Sequence, residues 1–92
     1  MIPGPEMDTH EKPAPTLEAI ADENRRMRRL RLVVQLALEV IAQGELPYEE
    51  ASDLATAARR VALQLFPGKE QAYDLIYRPK FQRLMWEVYR VQ

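Results

Sequence analysis

The chain contains no cysteine, one histidine and one serine. Without thiols there is no disulfide, no thiolate nucleophile and no cysteine-ligated metal centre. His10 stands in MIPGPEMDTHEKPAP, which holds four of the seven prolines and, besides the initiator, only Ile2 and Met7 as bulky aliphatic or thioether residues. Such a stretch cannot bury enough apolar surface to offset its ordering entropy, so residues 1–15 read as a disordered, proline-rich acidic tail. An imidazole there is not held in the geometry a general base needs, and Ser52 is left without a Ser/His/Asp triad. Asp8, His10 and Glu11 together read as a solvated group.

Glycine is scarce as well, with three residues. The Gly-Lys of FPGKE lacks the preceding glycine-rich loop that cradles phosphates and reads as a turn. Glu49 and Asp53 stand four apart on one helix face, but no histidine joins them, and a helix N-terminus already accounts for two acids in its first turns. The chain therefore reads as non-enzymatic, with no metal, cofactor or small-molecule substrate expected. The longest apolar run, from Leu32, is broken by Gln35 and Glu39 and falls short of a membrane span. The N-terminus also lacks the charged and apolar regions of a secretory signal, so the expected setting is the cytoplasm.

Charge is present in quantity but unevenly placed. The formal net charge is −1. Residues 1–24 carry six acids against one lysine, and Arg25, Arg26, Arg28, Arg29 and Arg31 follow within seven residues. Only this arginine block could attract an anionic partner through its field.

Residues 16–92 read as one all-α domain, since no window shows sustained period-2 alternation. Thr16 can cap a first helix over about 17–43, with Glu18, Asp22 and Glu23 near its positive end. Gly44 sits where a left-handed C-cap belongs. A second helix over about 47–66 starts at Pro47 and stops at Pro67-Gly68. A third covers about 69–78, and Pro79 either kinks it or opens a fourth over about 79–90. The result is a small bundle of three to four helices. In the second helix Ala51, Leu54, Ala55, Ala58, Val61, Ala62 and Leu65 form one apolar stripe, and in the last Phe81, Leu84, Met85 and Val88 do the same.

The first helix is different. At about 100° per residue, Leu30, Val33, Val34, Ala37, Leu38 and Ile41 cluster on one side, and Leu32, Leu36 and Val40 extend the apolar arc around the other flank. A helix apolar on most of its girth needs neighbours on at least two sides. The same chain or a second copy could supply them, which points to a homo-oligomer or another protein partner. A long two-stranded zipper fits less well, because Asn24 and Arg31 fall on the heptad seam that runs from Leu17 to Ile41.

Two further readings concern surfaces. Arg25, Arg26, Arg28, Arg29 and Arg31 could neutralise phosphates, which makes a nucleic-acid-binding regulator the alternative function. The ENRRMRRLR stretch loosely resembles the basic region of dimeric basic-helix transcription factors but lacks that family's spaced pattern, and no family is assigned on it. The arginines also spread over more than half of the helical wheel, and Asp22 and Glu23 stand at pairing distance from Arg25 and Arg26, as in a solvated collar. Six of the seven aromatic residues lie in the last third of the chain, from Phe66 onward. Phe66 and Phe81 are expected in the core. Tyr73, Tyr77, Trp86 and Tyr89 join Leu32, Leu36 and Val40 as the candidate partner surface, because a large apolar body with a polar tip suits wet interfaces.

Overall fold

The computed structural model of the protein describes residues 16–90. The reading of residues 1–15 as a disordered tail, with His10, Asp8 and Glu11, lies outside the described residues. Four helices and no strand occur among the described residues: α1 Leu17–Ala42, α2 Tyr48–Leu65, α3 Glu70–Ile76 and α4 Arg78–Tyr89. The all-α reading and its helix order hold, with ends that differ by one or two residues.

The ends follow from local chemistry. The Thr16 hydroxyl accepts a hydrogen bond from the Ala19 N–H at 3.0 Å, satisfying one of the free donors of the first turn. At the other end Gly44 takes φ +71°, a conformation that side-chain-bearing residues adopt only with strain, so the chain turns there without cost. Pro79 lies in the first turn of α4, where its missing N–H has no helical partner to lose. It opens a new helix instead of kinking the old one. Tyr77 caps both sides of that break, donating its N–H to Tyr73 at 2.8 Å and accepting from Lys80 and Phe81.

The core is built from one stripe of each of three helices. Leu30, Val34, Ala37 and Ile41 of α1 meet Ala51, Ala58 and Ala62 of α2 and Phe81 of α4, while Tyr73 closes the group from α3. Four of these nine buried residues are alanine, so α1 and α2 approach closely and the enclosed volume is small. Phe66 is half-buried and packs on the margin of this group, whereas Phe81 is inside it.

Among the described residues only α2 and α4 pack against α1, and they also pack against each other, so both cover the same side of it. The short α3 meets α2 and α4 instead. Leu32 and Leu36 consequently keep 58% and 53% of their surface exposed, and Val40 is half-buried. The expectation that α1 has neighbours on two sides is therefore not met among the described residues: two stripe-faced helices do not reach around it. The first turns of α1 run on beyond this cover, with Leu17 and Ile20 exposed.

Candidate interaction surfaces

The arginine block divides into inward and outward members. Arg26 leans toward the core: its Nη1 donates to the Leu65 carbonyl at 3.4 Å, and its guanidinium lies 5.4 Å from the centre of the Phe66 ring. It thereby neutralises the negative end of α2 while stacking on an aromatic face. Asp22 lies beside it, with Nε 3.3 Å from the carboxylate, although this contact lacks hydrogen-bond alignment and leaves Nε without an acceptor among the described residues. Arg25 also reaches Asp22 at 3.3 Å, an exposed pair one turn apart. Arg28, Arg29 and Arg31 take part in no ion pair among the described residues. Together with Arg25, Leu32 and Gln35 they line a shallow depression on α1.

A second surface forms between α2, α3 and α4. An open groove of about 890 Å³ is bordered by Tyr48, Trp86, Met85, Arg59 and Arg78, with Phe81 and Tyr73 at its floor. Arg59 donates to both oxygens of Asp74, Nε at 2.9 Å and Nη2 at 3.1 Å, which clamps α2 to α3 with the bidentate geometry that arginine and carboxylate share. That hydrogen bond from Arg59 holds the Asp74 carboxyl below its ordinary value, against the opposing pull of desolvation. Burial pushes the Tyr73 phenol above its ordinary value, while the nearby Arg59 charge acts the other way. The Tyr73 hydroxyl is enclosed and has no hydrogen-bond partner among the described residues.

The aromatic candidates fall in different places. Tyr73 is buried, 6% exposed, and its ring lies 5.2 Å from that of Tyr77, which is half-buried beneath the Lys80 ammonium. Tyr89 is half-buried as well. Its hydroxyl donates to the Leu46 carbonyl at 2.6 Å, and its ring meets Tyr48 edge-on at 5.7 Å, so it ties α4 to the α1–α2 turn. Trp86 remains exposed at the groove edge. Leu32 and Leu36 lie on the side of α1 that α2, α3 and α4 leave open, with the half-buried Val40 at its margin, so the candidates form two separate surfaces. The clamp between Arg59 and Asp74 went unread in the sequence because the partners are fifteen residues apart on different helices. Arg26 was legible only as one of five arginines, since its turn toward α2 depends on the packing of Phe66.

Among the described residues no group of three or more His, Cys, Asp or Glu side chains is placed to hold a metal ion, and no helix is long and apolar enough to cross a membrane. No protein-family model, no curated protein and no solved structure matches the chain.

Proposed function

We propose that the chain is a small non-enzymatic helical interaction protein of the cytoplasm that self-associates through apolar helix faces. One observation carries this reading: Leu32 and Leu36 are more than half exposed, side by side on a helix whose other face is core. The domain buries four alanines yet leaves these two leucines in water, an inefficient use of apolar surface for a solitary molecule. Removing such surface from water yields about 25 cal/mol per Å², which a second copy would supply. Light scattering after size exclusion tests the reading. The expected mass exceeds 10.7 kDa and rises with loading concentration; a mass fixed at that value across the range refutes it. Replacing both leucines by glutamate is expected to return the chain to the monomer mass.

The second reading is a nucleic-acid-binding regulator, and it is favoured by the depression that Arg25, Arg28, Arg29 and Arg31 line together. Phosphates seated there would displace counterions and make binding steeply salt-dependent. A gel shift at low ionic strength that disappears at higher salt would support it, and no shift at low salt removes it.

A further inference from the structure

Arg25, Arg29, Leu32, Leu36 and Glu39 on the outward face of α1, and Gln43 at its C-cap, are all exposed and follow one another at alternating steps of four and three. That spacing is the seam of a helix pair. The series is also symmetric about residue 34: Leu32 mirrors Leu36, Arg29 mirrors Glu39, and Arg25 mirrors Gln43. Arg29 and Glu39 have no ion-pair partner among the described residues.

We infer that two copies of the chain pair antiparallel along α1 about a two-fold axis near residue 34. The inference rests on the self-association reading above and adds orientation and register to it. A two-fold interface needs one patch that complements itself, with residue i meeting j and j meeting i. The outward series meets that condition in a single alignment. Leu32 of one copy lies level with Leu36 of the other, twice over, and each Arg29 lies level with the opposing Glu39. A parallel arrangement in the same register sets Arg29 against Arg29 and Glu39 against Glu39, which repels at both layers. The occupant of this face is therefore a second copy, and charge sets its direction.

Charge exchange tests this with the full chain. Both positions are exposed, so neither substitution disturbs the core, and unchanged circular dichroism verifies the fold. Arg29→Glu alone and Glu39→Arg alone are each expected to raise the dimer dissociation constant about tenfold or more, because each change spoils two ion pairs per dimer. The double variant is expected to return to within about threefold of the starting chain. The native chain has no cysteine, so a spin label at Gln43→Cys reports on one site per copy. The expected separation is roughly 27 Å or more from the helical rise, against roughly 10 Å for parallel helices.

A dimer indifferent to both single exchanges, or a short label distance, overturns the antiparallel pairing while leaving self-association standing. A chain monomeric at every concentration overturns both. So does a monomeric chain that shifts DNA or RNA at low salt and loses the shift on Arg29→Glu, which would give this face to a polyanion.

Discussion

Truncating Ile41 and Leu36 to alanine removes three carbon atoms from the same helix in both cases, yet the consequences should differ severalfold. Ile41 is wholly enclosed, at 0% exposure, where α1 meets its neighbours. Its removal leaves a cavity in a core that contains few large side chains, and losses of this kind cost about 2–5 kcal/mol. A folded region of this size commands about 4–11 kcal/mol in total, so the change consumes a large part of the margin. At about 4–8 °C per kcal/mol, the melting temperature should fall by about 10 °C or more. Leu36 is already more than half in water, and alanine is the better helix former, so its truncation should cost the isolated chain less than about 1 kcal/mol. Urea denaturation followed by circular dichroism, run at high dilution where association is negligible, measures both. Equal costs for the two variants, or a cost below about 1 kcal/mol for Ile41→Ala, would refute the assignment of inward and outward stripes on α1.

Tyr89→Phe deletes the hydrogen bond to the Leu46 carbonyl while keeping the edge-on contact with Tyr48, and should lower stability by about 1 kcal/mol, read as a shifted urea midpoint with unchanged slope. Asp74 has a native pKa below its ordinary 3.8, so its pair with Arg59 contributes fully above that value and is lost as pH falls through the depressed native one. Asp74→Asn should remove this contribution at neutral pH and flatten the acid limb of a stability-against-pH curve; an acid limb identical to that of the native chain refutes it. Arg26→Ala should destabilise the monomer by about 1 kcal/mol, through the lost Leu65 carbonyl contact and Phe66 stacking, whereas Arg28→Ala should leave it unchanged in thermal melts.

The helices were legible because their ends carry strong local signals. Thr16 acts through a capping hydroxyl, and Gly44, Pro47, Pro67-Gly68 and Pro79 act through backbone geometry, all of which a sequence states directly. The stripes of α2 and α4 were legible for the same reason, since one apolar face of an amphipathic helix has only one place to go. The enclosure of α1 was not. Its girth of apolar residues says that cover is needed but not how much the rest of the chain can provide, and that depends on how α2 and α4 lean on each other. Tyr73 and Tyr89 expose a related limit. A tyrosine near the chain end can serve a core or an interface, and the choice turns on acceptors such as the Leu46 carbonyl that come near only after folding. Which arginines face solvent was likewise settled by Phe66 and Leu65, forty residues downstream.

The two stripes of α1 answer to different variables. Inward residues such as Ile41 and Val34 secure the fold of each copy, so their loss lowers stability at any concentration. On the proposed pairing, outward residues act on the folded copy through a partner, and a partner that binds the native state adds stability by mass action. With four alanines among nine core residues, the intrinsic margin is small, and even a modest association free energy becomes a sizeable share of the whole. Substitutions at Arg29, Leu32, Leu36 or Glu39 should accordingly leave the melting curve of dilute protein alone and separate from the native chain only as concentration rises. Concentration dependence, more than the size of any single effect, distinguishes a surface that pairs from one that is simply left in water.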